Sequence, residues 1–250
     1  GYMSLTSVNF KGDFTKIGPP LADLFAGVYA AIAAVAGVIH KKKTGTGLRM
    51  DVSKLGAMLQ AMGDGYAKYL SSGETGFPTG NAHRMSASFY PMPAKDGAIV
   101  CNAANRNTTE HKFEDFCDGI GMPDFYKDER YATDESRLAH RDEVAKAIDA
   151  HTSQMTVAEI ESLCRKSGIA CGVMNDMAQL AADPQTVHDK VIIEVHDQEA
   201  GDFKVLGCPF KFDAFSVPSD DFVGQLGEHT QEILAELLGM TAEEAAALKE

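Results

Sequence analysis

The sequence contains no tryptophan and far fewer basic than acidic side chains. Of its 250 residues, 36 are Asp or Glu and only 23 are Lys or Arg, so the formal net charge is -13. Nucleic acid and anionic membranes both bind to cationic surfaces, so this balance argues against either as a partner. The hydrophobic fraction of 44% is that of a globular protein.

Several motifs of metal sites and hydrolases are also missing. The cysteines form no CxxC pair, and their odd number and scattered positions favour reduced thiols and a cytoplasmic location. There is no HExxH motif and no GxSxG nucleophile elbow, so we expect neither a metal site nor an α/β-hydrolase. The five cysteines are Cys101, Cys117, Cys164, Cys171 and Cys208.

No hydrophobic run reaches the roughly 20 residues that a membrane-spanning helix needs. The longest apolar stretch, Leu24 to Ile39, is rich in Ala and Gly. It is apolar on all sides, which predicts a helix buried in protein. We expect this helix to begin at Asp23 and to end near Lys41 to Lys43, with Gly45 or Gly47 as its left-handed cap.

Asp23 allows two interpretations. Aspartate is among the preferred N-cap residues, so it could simply begin the helix. A carboxylate at the edge of an apolar helix could also act as a nucleophile or a base. The residues alone leave both open.

The remaining pattern predicts a mixed α/β chain, interrupted by a smaller module between about Phe77 and Ala182. Gly80, Asn81 and His83 fall in a loop-like stretch that could be functional, although an exposed loop histidine is the simpler explanation. Two capping boxes are predicted, Thr156 with Glu159 and Thr241 with Glu244. The predicted helices are 54–70, 109–119, 138–151, 156–167, 228–238 and 242–249, and the predicted strands are 48–52, 98–103, 191–196, 203–206 and 211–215.

Taken in order, many segments resemble the family III CoA-transferases, the CaiB/BaiF family, which also includes α-methylacyl-CoA racemases. No segment is diagnostic alone, but the ordered set is specific. The matching segments are 1–6, 16–23, 40–47, 50–53, Gly80-Asn81, Asp96-Gly97, 131–133, 139–143, 168–175, 183–185, 207–209 and 226–230.

The resemblance implies a partial nucleotide-binding-like α/β large domain with an inserted smaller α+β domain, and two chains interlocked as a dimer. The corresponding parts are 1–54 (large domain with the catalytic Asp), 55–78 (linker helix), 79–182 (small domain), 183–206 (return linker) and 207–250 (return to the large domain). Family members carry a further stretch before the match to Gly1, which supplies most contacts to the CoA nucleotide. We therefore expect this chain alone to bind CoA weakly or not at all, and a homodimer or another chain to supply the missing half.

The resemblance also implies that Asp23 is the nucleophile of an acyl-CoA:carboxylate CoA-transferase, with CoA as a substrate and no separate cofactor. Gly80, Asn81, His83 and Asn105 are further candidates for substrate binding. Racemases of the family need a glutamate where this sequence has Asn105, so the resemblance favours transfer over racemisation. A 2-methylacyl-CoA racemase and a non-catalytic or split-enzyme subunit remain the alternatives.

Overall fold

The computed structural model describes residues 1–7, 14–76, 78–105, 110–197, 200–214 and 226–248. The chain forms two compact units, Gly1–Met174 and Asn175–Glu250. The first unit contains α1 (Tyr2–Thr6), α2 (Leu21–Thr44), α3 (Lys54–Ala61), α4 (Asp64–Ser72), β1 (Pro91–Ala94), β2 (Gly97–Asn102), α5 (Lys112–Gly119), a 3-10 turn (Phe125–Lys127), α6 (Asp134–Ala139), α7 (Arg141–Thr152), α8 (Val157–Lys166) and β3 (Ala170–Val173). The second contains α9 (Met177–Ala182), α10 (Pro184–Asp189), β4 (Ile192–Asp197), β5 (Gly201–Leu206), α11 (Thr230–Leu238) and α12 (Ala242–Ala247).

The core of the first unit lies between a three-stranded antiparallel sheet and the helices α5, α7 and α8. The strand order is β1-β2-β3, and Cys101 of β2 lies opposite Cys171 of β3. Apolar side chains that recur with the periods of the helices and strands face one another and form this core. The fully buried residues include Met92, Ile99, Phe113, Phe116, Val144, Ile148 and Ile160.

Local signals predicted several elements of both units correctly. The turn at Asp96-Gly97 leads into β2, and the hairpin of β4 and β5 occupies the two strands expected there. Both capping boxes form: Thr156 Oγ1 accepts from the Glu159 amide, and Thr241 caps α12 in the same way. These contacts satisfy amides that the first helical turn cannot pair internally.

Helix α2 differs from the prediction at its start and in its burial. Its N-cap is Pro20, three residues before Asp23, while its end matches: Gly45 has φ 77° and donates its N–H to the Lys41 carbonyl at 2.8 Å. The expectation of a buried helix is wrong for the described chain, because no residue of α2 is buried. Its apolar side chains, such as Leu24, Ile32 and Val35, are 55–61% exposed.

The composition of α2 also passes a test for a membrane span. Among the described residues it is the one helix long and apolar enough to cross a bilayer, with 24 residues and a mean hydropathy of 2.0 in its most apolar window. This finding concerns length and composition only, and the core helix of a soluble protein can have both. The packing of α3 against α2 leaves most of the apolar surface of α2 uncovered.

Other predicted elements are corrected. Residues 48–52 form no strand, because none of the described strands pairs with them, and Leu48 and Met50 stay exposed. The helix predicted over 54–70 is broken at Gly63, whose φ of 53° ends one helix and begins the next. The helix predicted over 138–151 is divided at His140 into α6 and α7.

Two further predictions lie partly outside the described residues. The strand predicted over 211–215 is absent in 211–214, which has no paired neighbour, and residue 215 is not described. The helix predicted over 109–119 begins at Lys112, and residue 109 is not described.

Candidate active site

Asp23 is the third residue of α2, inside the first helical turn. The helix begins at Leu21, and the Asp23 N–H donates to the Pro20 carbonyl at 3.0 Å. The N-cap interpretation of Asp23 is therefore wrong, because the helix starts earlier on the rigid Pro19-Pro20 segment. A carboxylate in the first turn still lies at the positive end of the helix dipole, which favours its ionised form.

Lys54 is the direct partner of Asp23. Its Nζ donates a hydrogen bond to Asp23 Oδ1, and the two groups also form an ion pair. Lys54 is held there because it is the first residue of α3, which packs against α2 and is capped by Ser53 Oγ at 2.9 Å from the Gly56 nitrogen. No pattern in the sequence indicates Lys54, since 31 residues separate the pair and no motif spacing links them.

The Lys54 ammonium lowers the pKa of the Asp23 carboxyl. The hydrogen bond from Lys54 is the largest cause, and its positive charge adds to the effect. Both side chains remain more than half exposed in the chain, with exposed fractions of 67% for Lys54 and 56% for Asp23. Asp23 is therefore an ionised carboxylate at neutral pH that is open to a reactant.

Gly80 and Asn81 form a turn beside a cavity of about 340 Å³. The N–H of Gly80 donates to the Ser7 carbonyl at 2.9 Å, and its φ of 57° suits glycine. The cavity lies between this turn, the start of β1 and the first turn of α7. Its lining includes Thr79, Gly80, Asn81, Ser86, Tyr90, Arg141 and Asp142.

His83 stabilises the loop that follows. Its main-chain N–H donates to the Phe89 carbonyl at 2.8 Å, and its ring packs on the Phe89 ring with centroids 4.9 Å apart. Its Nδ1 accepts from the Met85 N–H at 3.2 Å, which places the proton of a neutral imidazole on Nε2. These contacts give His83 a clear role in the conformation of the loop.

Asn105 caps the start of α5. Its Oδ1 accepts from the Phe113 N–H at 3.2 Å, and its Nδ2 donates to Glu114 Oε2 at 2.9 Å. Both polar ends of the side chain are used, so its observed contacts are those of a capping residue.

The structure thus places the site residues in three groups: Asp23 with Lys54, the loop of Gly80, Asn81 and His83, and Asn105 at the start of α5. Within the described chain, no hydrogen bond or ion pair joins Asp23 to Gly80, Asn81, His83 or Asn105. The described residues also contain no group of three or more His, Cys, Asp or Glu side chains that could hold a metal ion. The arrangement offers an ionised carboxylate beside an ammonium, and a polar cavity elsewhere in the same unit.

This combination of helices and small sheets matches that of a solved CaiB/BaiF protein. The structure of a CaiB/BaiF family protein from Brucella suis superimposes with a TM-score of 0.78 at 28% sequence identity. The match covers 95% of this chain and 60% of the other.

The sequence comparisons agree with the structural match. The family model described as CoA-transferase family III matches residues 1–230, so the chain belongs to the CoA-transferases of family III. It is 27% identical to the succinate–glutarate CoA-transferase of Agrobacterium fabrum and 29% identical to the succinyl-CoA:glutarate CoA-transferase of Homo sapiens, over 95% of this chain in each case. The chain spans 58% and 53% of the lengths of these two relatives, respectively.

Proposed function

We propose that the chain carries the catalytic carboxylate of an acyl-CoA:carboxylate CoA-transferase, and that this carboxylate is Asp23. The supporting observation is the position of Asp23, ionised beside Lys54 in the first turn of α2 of a family III CoA-transferase. The relatives named above are CoA-transferases, which favours transfer over the racemase and the non-catalytic subunit.

The reaction proceeds through covalent intermediates on Asp23. The carboxylate attacks the thioester carbonyl of the acyl-CoA, giving an aspartyl mixed anhydride and CoA thiolate. The thiolate attacks the aspartyl carbonyl, giving an aspartyl-CoA thioester and the free first acid. The acceptor carboxylate then attacks the same carbonyl, and the released thiolate takes the acceptor acyl group, which restores Asp23. Each step exchanges one acyl bond for another, so no ATP, metal or separate cofactor is needed.

Lys54 and the helix start supply the electrostatics of these steps. The ammonium keeps Asp23 ionised before the attack, when the carboxylate must be the nucleophile. Once Asp23 is acylated and neutral, the same ammonium and the amides of the first helical turn can stabilise the oxyanions that form at the aspartyl carbonyl.

The substrate and assembly follow as further proposals. We propose small dicarboxylic acids and their CoA thioesters as the substrates, because two relatives are named for succinate and glutarate. We further propose that a homodimer, or an additional chain, covers the exposed apolar surface of α2 and completes the CoA site, in the cytoplasm. Residues 1–54 would belong to the large domain and 79–182 to the small one.

The experiment uses hydroxylamine to trap Asp23 in a preparation that shows CoA transfer. Succinyl-CoA and hydroxylamine are added, and the tryptic peptide 17–41 is examined by mass spectrometry. Asp23 is the only acidic side chain in that peptide, so a hydroxamate there has one possible position. Asp64, in the first turn of α4, is a matched control.

We expect the hydroxamate on Asp23 and not on Asp64. The Asp23→Asn variant loses both the trap and the transfer, whereas Asp64→Asn keeps both. An active preparation whose Asp23 stays unmodified would overturn the assignment. Deuterium exchange at the α-carbon of a 2-methylacyl-CoA, without CoA transfer, would instead support the racemase.

A further inference from the structure

The cavity beside Gly80 and Asn81 contains a guanidinium with no carboxylate partner in the described chain. Arg141 Nη2 donates to the His83 carbonyl at 3.1 Å and, at 3.5 Å, to the Arg84 carbonyl. Both acceptors are neutral main-chain oxygens. By contrast, Arg49, Arg130, Arg137 and Arg165 each form an ion pair with a carboxylate.

The half-buried position of Arg141 makes this arrangement informative. A guanidinium has five N–H donors in a planar fork, and the two carbonyls use one nitrogen. A charged group that has lost part of its water without gaining an opposite charge is stabilised when an anion binds. The contacts to the carbonyls also hold the fork in place against the loop, which lowers the entropy cost of using its remaining donors.

The rest of the lining fits a small planar anion. Thr79 and Ser86 provide hydroxyl groups, although Ser86 Oγ also shares a hydrogen bond of 3.3 Å with Ser88 Oγ, and Asn81 provides a side-chain amide. The hydroxyl of Tyr90 is already bonded to Asp149 Oδ1 at 2.9 Å and to a main-chain carbonyl, so it contributes its ring rather than a donor. The volume of about 340 Å³ is at the lower end of the range for small-molecule pockets, about 300–1,000 Å³.

Asp142 limits the charge of the ligand. Its exposed carboxylate lies in the same lining as Arg141 and repels anions. The attraction to Arg141 grows with the charge of the ligand in the same proportion as this repulsion, whereas the cost of removing an anion from water grows faster. A singly charged carboxylate group therefore suits one partly offset guanidinium better than a phosphate monoester or diphosphate does. A planar carboxylate can also accept two parallel hydrogen bonds from a guanidinium.

We infer that this cavity binds the carboxylate of a small organic acid, with Arg141 as the residue that recognises it. Its assignment as a site for the acid substrate rests on the proposed function, whereas the binding itself does not. Arg141, on α7, thus holds the acid by a carboxylate in a cavity apart from Asp23, the residue at which transfer is proposed.

The test measures glutarate binding to the full chain by calorimetry. We expect Arg141→Gln to weaken binding at least about 10-fold, because charge-assisted hydrogen bonds are lost. The matched control Arg165→Gln, which alters an exposed arginine of α8, leaves binding unchanged. Asp142→Asn removes the opposing charge and tightens binding about 2- to 5-fold, which tests the site without altering Arg141. Circular dichroism of each variant checks the fold.

Two further ligands distinguish carboxylate binding from phosphate binding, and one variant distinguishes binding at Arg141 from the chemistry at Asp23. Glutaramide, which is neutral, is expected not to bind, and adenosine 3′,5′-bisphosphate tests a phosphate source such as the CoA nucleotide. Binding of the bisphosphate, but not of glutarate, through Arg141 would overturn the carboxylate assignment, as would glutarate binding that neither Arg141→Gln nor Asp142→Asn changes. Asp23→Asn is expected to keep glutarate binding, so a failure of the proposed chemistry at Asp23 leaves this result standing.

Discussion

Substitution of Arg137 is a quantitative test of what stabilises α6, the helix directly before Arg141. Its side chain is 3% exposed, and Nη1 donates to the Tyr131 carbonyl at 2.7 Å while Nη2 pairs with Asp134. The guanidinium also lies 4.0 Å from the centre of the Phe113 ring. Arg137 is thus a buried cation that joins α6 to the core, four residues before α7 begins at Arg141.

We expect Arg137→Met to destabilise the fold by about 3 kcal/mol. Breaking a buried ion pair costs about 3–5 kcal/mol. The lower end applies because the Asp134 side chain is 31% exposed and can be hydrated when its partner is lost. The methionine also retains part of the apolar contact with Phe113. With a urea m-value of about 2 kcal/mol/M, the unfolding midpoint falls by about 1.5 M.

The assay is urea unfolding followed by far-ultraviolet circular dichroism, since the protein has no tryptophan to report by fluorescence. Arg165→Met is the matched control, because the Arg165 pair with Glu161 is 2.7 Å long but exposed. Its expected cost is below about 0.5 kcal/mol. A loss below about 1 kcal/mol for Arg137→Met, or equal losses for the two variants, would refute the reasoning.

Two other predictions concern the active site. Lys54→Met removes the group that lowers the pKa of Asp23, so this pKa rises. Because the carboxylate form is the nucleophile, the acid limb of the pH profile of kcat/KM then moves to higher pH. Lys68→Met, which breaks the exposed ion pair with Glu74, leaves the profile in place, and an unshifted limb in Lys54→Met would show that Lys54 does not control Asp23. The chain alone is expected to bind CoA weakly or not at all, as measured by calorimetry, and tight binding would contradict that expectation.

How much the sequence could predict depends on how far apart the interacting residues are. The cap at Gly45 and the Thr156 to Glu159 box follow from neighbours within a few residues, and both were predicted correctly. The break at Gly63 was missed although Gly63 and Gly65 both weaken a helical pattern, because the apolar spacing continues across them. The strand expected at 48–52 depends on a neighbouring strand, which local alternation cannot supply.

In the candidate site, too, sequence neighbours could be predicted and contacts between distant residues could not. Asp23 was singled out by its position at the start of an apolar helix, and its role as the nucleophile came from the resemblance. Its N-cap role was wrong, because the helix starts on Pro20. Lys54 and Arg141 could not be found from spacing, since their contacts span 31 and 58 residues of sequence. The capping role of Asn105 also appears only once the chain is folded around α5.

The central claim is that the acceptor acid becomes covalently bound to Asp23, and oxygen-18 measures this directly. When a labelled acceptor carboxylate attacks the aspartyl-CoA thioester and then leaves as its own thioester, one of its oxygens stays on the aspartyl carboxylate. In a preparation that transfers CoA to labelled glutarate, we predict the label in peptide 17–41, where Asp23 is the only acidic side chain. Transfer that proceeds while this peptide remains unlabelled would contradict the account.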